Sequence, residues 1–339
     1  MSRNQLTSVL LALGPCLLSS CVQASPLDSS TSICSSDSSG TVVVHLPPGK
    51  VFGRMWLCPQ LRGTGGKKTI QDTNGFLVSG DLTLKKGAFY KLDLNYNGSQ
   101  DLSFLQRVGP LISELGTRNL PITDEQAAKL FKWTPNLQYL SADRTDITDD
   151  GVKYLLPLKK LTTISMCRGA LTSGSLAVFG RLPRLTHLLI THNQFSDAAL
   201  ANLSKLHNLQ RLRLNNTGIT DAGLVHIEPL TGLTQLHISG NQRITNAGIA
   251  HLKQLKNLVE LQIWETNVTP LCAKTLQQLP KLKRVVVSFN RLGERGTEEL
   301  KQALGPSVKV SNYSSRIPIE VFAPLHSPIA PQNTDRVYQ

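Results

Sequence analysis

The chain has 339 residues, of which 17% are charged and 5% are aromatic, and its 36 Lys and Arg against 23 Asp and Glu give a net charge of +13. This charge favours anionic partners. However, the positive residues are spread along the chain and no Lys/Arg cluster alternates with aromatic residues, which excludes a base-stacking nucleic-acid surface.

The N-terminus predicts an export signal over residues 1–20. Arg3 precedes an apolar run from Leu6 to Leu18, and small residues follow. The segment "LSSC" that ends at Cys21 resembles a bacterial lipobox, in which cleavage leaves this cysteine lipidated. The alternative is an ordinary secretory signal cut after Ala24, since the run is short for a membrane anchor. Both alternatives predict an exported protein, either a cell-envelope lipoprotein or a secreted protein.

Two segments are predicted between this signal and the regular part of the chain. Residues 21–39 are rich in Ser and predict a flexible linker. Residues 40–110 contain short alternating runs such as "TVVVHL" and "KLDLNY", which predict a β-rich cap over whatever follows. In an exported protein Cys34 and Cys58 can form a disulfide, although one sequence does not establish the pairing.

Residues 111–310 repeat one pattern about eight times. The copies start at Ile112, Leu137, Leu161, Leu185, Leu209, Leu233, Leu258 and Leu282, so the spacing is 24 or 25 residues. Within the copy at Leu209, Leu212 and Leu214 alternate with arginines as in a strand with one buried face, and Leu224, Ile227 and Leu230 follow at a helical spacing. Such units cannot bury their own apolar face, so the period predicts a solenoid of stacked strands and short helices.

Two columns of the repeat support this alignment independently of leucine. The ninth position holds mostly short polar residues, which can bond the backbone where a strand bends away: Thr145, Gly169, Asn193, Thr217, Asn241, Thr266 and Asn290. The fifteenth position holds only small residues, which predicts close packing of the helix: Gly151, Ser175, Ala199, Gly223, Gly248, Cys272 and Gly296. After a possible last strand in "SVKV", at residues 307–310, residues 311–339 are rich in Pro and polar residues and predict a disordered tail.

The pattern, with its "ITDAGL" wording, resembles the leucine-rich repeat family and its cysteine-containing subtype, which is found in F-box substrate receptors and in bacterial exported proteins. The resemblance covers about residues 111–310. It implies an α/β solenoid with a curved, concave parallel sheet and convex short helices. In that subtype a cysteine often fills the ninth position, and here none does.

In such a fold the third, fifth and seventh positions of each repeat point to the concave face, where a partner can bind. Among them, six residues have the types that contribute most to interfaces or can hold an acidic group: Tyr139, His187, Arg211, Arg213, His237 and Trp264. The alternatives are a solvated basic face for the arginines and histidines, and a role for Trp264 in shielding a neighbouring repeat.

No catalytic residue, metal site or cofactor is predicted, because the sequence carries no hydrolase, nucleotide or zinc motif. Cys167 and His192 fall on adjacent repeats, but nothing nearby orients the histidine and an open sheet excludes no water. His187 and His237 are two repeats apart, roughly 10 Å, which is too far to share one metal ion.

The sequence therefore predicts a non-enzymatic module that binds a protein partner on its concave face, at the cell envelope or outside the cell. One alternative is a structural component of the cell envelope that holds anionic polymer or phospholipid by charge. Another is a substrate receptor like the F-box proteins, which would need an intracellular chain.

Overall fold

The computed structural model describes residues 41–58, 75–85, 87–288 and 292–312. The export signal, the lipobox, the whole Ser-rich linker and nearly all of the predicted tail lie outside the described residues, as does Cys34 of the predicted disulfide. Fourteen strands lie within them: β1 Thr41–His45, β2 Gly53–Cys58, β3 Phe76–Leu77, β4 Asp81–Lys85, β5 Phe89–Leu94, β6 Ile112–Gly116, β7 Tyr139–Ser141, β8 Thr163–Ser165, β9 His187–Leu189, β10 Arg211–Arg213, β11 Gln235–His237, β12 Glu260–Gln262, β13 Arg284–Val287 and β14 Lys309–Asn312.

Short helices alternate with the strands. The α-helices in the described residues are α1 Tyr96–Gln100, α2 Leu105–Val108, α3 Asp124–Trp133, α4 Asp149–Val152, α5 Ser173–Phe179, α6 Asp221–Leu224, α7 Asn246–Ala250, α8 Ala273–Leu276 and α9 Gly293–Leu304. Segments of 3₁₀-helix add to them at Gly109–Leu111, Lys153–Leu155, Asp197–Leu203, Val225–Ile227, His251–Gln254 and Pro270–Cys272. No helix within the described parts of the chain combines the length and the apolar character needed to cross a bilayer.

The repeats form one sheet in which each strand from β5 to β14 pairs in parallel with the next strand along the chain. Leu212 pairs with Leu188 on one side and Leu236 on the other, and Leu236 pairs with Leu261. These four side chains have no exposed surface. The predicted file of leucines beneath a parallel sheet is therefore confirmed, and it forms a continuous core with the leucines of the helices.

The strands before the repeats extend this core. β5 pairs in parallel with β6, β2 pairs antiparallel with β5, and β3 pairs antiparallel with β2, whereas β1 and β4 form a separate antiparallel pair. Met55 of β2 and Leu92 of β5 are fully buried next to the first repeat. At the other end β14 adds the last parallel strand, as "SVKV" suggested, with bounds Lys309–Asn312. Cys58 ends β2, and its Sγ accepts a hydrogen bond from the Ser113 hydroxyl at 3.6 Å.

The "ITD" part of the repeat has a role that the sequence did not reveal. The aspartate of one repeat accepts hydrogen bonds from the backbone N–H and the hydroxyl of the threonine in the next repeat, at 2.7 and 2.6 Å for Asp124 with Thr148. Asp221 binds Thr245 at the same two distances. These contacts tie the start of a helix to the preceding repeat at several places in the solenoid.

The two supporting columns behave as predicted. At the ninth position, the Asn241 amide donates to the carbonyls of Leu214 and Ile238 at 2.8 and 2.7 Å, and its oxygen accepts from the Thr217 N–H. At the fifteenth position, a Cβ added to Gly248 would lie 2.3 Å from the Asp221 Oδ1. The helix is thus held close by the aspartate of the preceding repeat, which explains why only small residues fit.

Candidate functional site

The predicted binding residues cluster on neighbouring strands of the sheet. Arg211 pairs with His187 on β9 and Gln235 on β11, while Arg213 lies between Leu189 and His237 in the same register. Tyr139 lies further towards the N-terminus on β7, and Trp264 follows β12. The concave face, meaning the third, fifth and seventh positions of the repeats, therefore has its basic centre on β9 to β11.

Accessibility divides the predicted residues into two groups. Tyr139, His187, Arg211, Arg213 and Trp264 are half-buried, so each keeps surface for a partner. His237 is only 2% exposed, so it offers a partner almost no surface, and its part in binding stays a prediction. Four other residues at the fifth position are also buried, namely Ser141, Ser165, Gln262 and Val286, whereas Leu189 and Arg213 stay half-buried. Strands about 4.8 Å apart bring these side chains together on the concave face, and longer neighbours cover them.

Arg211 and Arg213 form a concentration of positive charge. Burial lowers the pKa of both guanidinium groups, and the charge of Arg211 lowers the pKa of Arg213 further. An arginine stays protonated at neutral pH despite such shifts. Within the described residues Arg211 makes no ion pair, and its buried Nε has no hydrogen-bond partner. The exposed part of the Arg211 guanidinium can form an ion pair with a carboxylate supplied by another molecule.

The acid whose charge acts on these arginines already has other partners. Glu260 accepts a hydrogen bond from His237 Nε2 at 3.0 Å and from the Gln262 amide at 2.7 Å, and Arg284 Nη1 lies 3.8 Å from its other oxygen. The bond from His237 is the largest reason why the pKa of Glu260 falls to about 2. Burial lowers the pKa of His237 to about 4, so at neutral pH a neutral imidazole donates to an ionised carboxylate. The buried His237 therefore positions the half-buried Glu260.

Known proteins share the repeat and the fold. A family model described as leucine-rich repeats in two copies matches residues 207–254, which include β10 and β11. Over these residues the chain therefore resembles leucine-rich repeat proteins. The comparison with curated proteins gave no significant match. Among solved structures, the crystal structure of the Rad7 and Elc1 complex in yeast is similar, with a TM-score of 0.50 and 18% identity. That likeness covers 61% of this chain and 56% of the other, so the repeat protein spans about half of its structural neighbour, and the identity supports the fold alone.

The N-terminal part of the concave face is acidic but paired internally. Asp143 lies 3.2 Å from Arg118 Nε and accepts from the Ser165 hydroxyl at 2.7 Å and from the Cys167 N–H at 2.9 Å. Burial raises the pKa of Tyr139, which is close to these groups. Sequence reasoning missed this network. The only signal was that Arg118 and Asp143 are consecutive members of the seventh column.

Cys167 and His192 do not form a nucleophilic pair. Burial, followed by the charge of Asp143, raises the pKa of the Cys167 thiol, and its Sγ donates to the Leu189 carbonyl at 3.5 Å. The His192 ring instead contacts the Asn216 amide at 3.3 Å and the Thr191 hydroxyl at 3.4 Å. A protonated thiol is a poor nucleophile. Among the described residues, no three metal-ligating side chains come together either.

Proposed function

We propose that this leucine-rich repeat protein is a non-enzymatic interaction module that binds a protein partner on its concave face, around Arg211 and Arg213. The supporting observation is the state of Arg211, which is half-buried at the centre of the sheet and makes no ion pair within the described part of the chain. Glu260, the acid whose charge acts on it, is held by His237 and Arg284. An interface that supplies a carboxylate at this point would gain a charge-assisted hydrogen bond.

The surroundings favour a protein over a small anion. Leu189 and Trp264 offer half-buried apolar surface on either side of the arginines, and His187 and Gln235 offer hydrogen-bonding groups next to Arg211. Interfaces between proteins combine such aromatic and arginine anchors with a polar margin. The sheet presents these groups from consecutive strands, so their spacing is set before the partner arrives.

Capture by crosslinking in intact cells tests this proposal. Arg211→Ala and Trp264→Ala remove concave contacts, and Arg184→Ala removes an exposed arginine that occupies none of the concave positions. We expect one protein to be captured by the parent chain and by Arg184→Ala, and to be lost with both concave variants. Recovery of the same proteins with all four chains would reject the concave face as the binding site.

We further propose that the protein works at the cell envelope or outside the cell. The support is the sequence of residues 1–20 and Cys21, which is typical of an exported and lipid-modified chain. Cell fractionation tests it. The parent should occur in the envelope fraction or the medium without its first residues, and Cys21→Ala should move an envelope-bound form to the soluble exported fraction. An uncleaved cytosolic chain would contradict export and favour an intracellular receptor.

A second candidate function is favoured by the net charge of +13. On this alternative the protein is a structural envelope component that holds anionic polymer without a defined site. Such binding should disappear as the salt concentration rises and should be insensitive to Trp264→Ala. Capture that persists in high salt and depends on Trp264 would exclude it.

A further inference from the structure

A second surface lies at the edge of the sheet where the strands end, at the eighth position of each repeat. The residues there share a left-handed backbone conformation, with φ between 52° and 71°: Asn119, Arg144, Arg168, His192, Asn216, Gly240 and Glu265. Each backbone N–H donates to the carbonyl of the seventh residue in the next repeat, as from Arg144 to Cys167 and from Arg168 to Thr191, both at 2.9 Å. The eighth residues therefore stack at the spacing of neighbouring strands, about 4.8 Å.

Local stability does not explain the arginines in this column. Asn and Gly adopt the left-handed conformation readily, and they occupy it at Asn119, Asn216 and Gly240. For other L-residues the conformation costs roughly 1–2 kcal/mol. Arg144 and Arg168 therefore occupy positions where the fold itself prefers a different residue. Strain of this kind collects at sites with a function.

The charges at these positions reinforce one another. Arg144, Arg168 and His192, here called the rim stripe, are exposed on three consecutive repeats. None of the three forms an ion pair within the described residues, and the Arg144 side chain bonds only to the amide oxygen of Asn119 at 3.3 Å. After partial burial, the charges of Arg168 and Arg144 lower the pKa of His192, so the two guanidinium groups carry the positive charge of the stripe at neutral pH. An anion placed along the stripe would be attracted to both of them.

The geometry favours an extended acidic peptide as that anion. The two guanidinium groups on neighbouring repeats match carboxylates on alternate residues of an extended chain, which are about 7 Å apart, because arginine side chains adjust by several ångströms. The His192 imidazole on the next repeat adds a polar group to the same line. The seventh to tenth positions of these repeats contain no Phe, Tyr or Trp on which bases could stack. A single-stranded nucleic acid would therefore find charge but no stacking surface.

We propose that Arg144, Arg168 and His192 form a binding surface for an extended acidic segment of a protein, at the edge of the sheet and separate from the centre at Arg211. The surface would engage an acidic segment whether or not the concave centre binds a partner. It therefore does not depend on the function proposed above.

The test is binding of a labelled peptide with glutamate at every second position to the full chain, followed by fluorescence anisotropy at low ionic strength. The variant Arg144→Asn/Arg168→Asn installs the residue that the column already contains at Asn119 and Asn216, so folding should be kept or improved. We expect it to bind about five- to thirtyfold more weakly. Arg168→Asn alone should show a smaller loss.

Matched controls separate the rim stripe from general charge and from the concave centre. Arg181→Asn/Arg184→Asn removes two exposed arginines elsewhere and should bind the peptide like the parent. Arg211→Ala should also bind the peptide like the parent. A failure of the rim stripe can therefore be distinguished from a failure of the binding proposed at the concave centre. The proposal is overturned if the parent does not bind the peptide, if both double variants lose equal affinity, or if oligothymidine binds more tightly than the peptide.

Discussion

Asp197 in one repeat accepts two hydrogen bonds from Thr220 in the next, from the backbone N–H at 2.7 Å and from the hydroxyl at 2.6 Å. The same hydroxyl accepts from the Ala222 N–H at 3.2 Å and so caps α6. One carboxylate thereby orients the cap of the following helix, and the contact recurs along the solenoid. Stability in a repeat protein depends on such contacts between neighbours.

Replacing this carboxylate should weaken the interface between two repeats. Asp197→Ala leaves the Thr220 N–H without its acceptor, and we expect a loss of about 1–2 kcal/mol in the free energy of unfolding. Urea unfolding measures it. Asp197→Asn is the control, because Asn246 accepts from the Thr269 N–H at 3.0 Å in the equivalent place. Equal losses for both variants would show that the acceptor oxygen is unimportant.

The small residue at the fifteenth position should be coupled to that aspartate. A Cβ at Gly223 would lie 2.5 Å from Asp197 Oδ1, so Gly223→Ala should destabilise the protein by about 1–3 kcal/mol. The loss should shrink in an Asp197→Ala background, which a double-mutant cycle measures. Gly169→Ala is the matched control, since its nearest contact would be an ordinary 3.7 Å. If the losses of the two single variants simply add, the added methyl group does not clash with Asp197.

Acid should destabilise the concave face through His237 and Glu260. His237 has a pKa of about 4 in the folded protein, below its ordinary value, so between pH 6.5 and 4 the unfolded chain binds the proton more readily. The contribution of His237 to the free energy of unfolding is complete above pH 6.5 and is lost as the pH falls towards 4. Glu260, with a pKa of about 2, loses its contribution from pH 4.5 downwards.

Unfolding midpoints at several pH values check this behaviour. His237→Gln should flatten the fall in stability between pH 6.5 and 4, because the titrating group is gone. His207→Gln, at an exposed histidine, should leave the fall unchanged. A parent protein whose stability rose on acidification through this range would contradict a neutral, buried His237.

A charged side chain placed in the core should unfold the repeats around it. Leu214 has no exposed surface, so Leu214→Asp places an unpaired carboxylate among stacked leucines. We expect several neighbouring repeats to unfold, which hydrogen exchange would show as lost protection on both sides of β10. Gln210→Asp, at an exposed position of the same repeat, should preserve that protection. Protection lost only within one repeat would mean that the repeats are not coupled.

The repeats could be predicted because the period of the sequence and the packing of its apolar residues lead to the same arrangement of strands and helices. The alternation at Leu212 and Leu214 fixes which side of β10 is buried, and the spacing of 24 or 25 residues then sets the register, as the pairing of Arg211 with Gln235 shows. The sequence also shows which residue types lie at the concave centre. It does not show how exposed their side chains are, because the exposure depends on how closely the side chains of neighbouring strands pack.

His237 shows what could not be predicted. The pattern places it on the concave face beside Arg213, and its burial follows from contacts with residues on other repeats, above all Glu260. The bonds from Asp197 to Thr220 were hidden for the same reason, since one repeat contains only one of the two partners. The left-handed backbone at Arg144 could not be inferred from an arginine, which usually avoids it.

The most direct test of binding on the concave face uses a photo-crosslinking amino acid placed at single positions in living cells. Gln235 lies on β11 beside Arg211, whereas Val225 is 43% exposed on the opposite, helical side. We expect a crosslinked product of one defined mass from position 235, none from position 225, and loss of the product on adding Arg211→Ala. A product from position 225 alone, or one from position 235 that survives Arg211→Ala, would contradict a partner held at the concave centre.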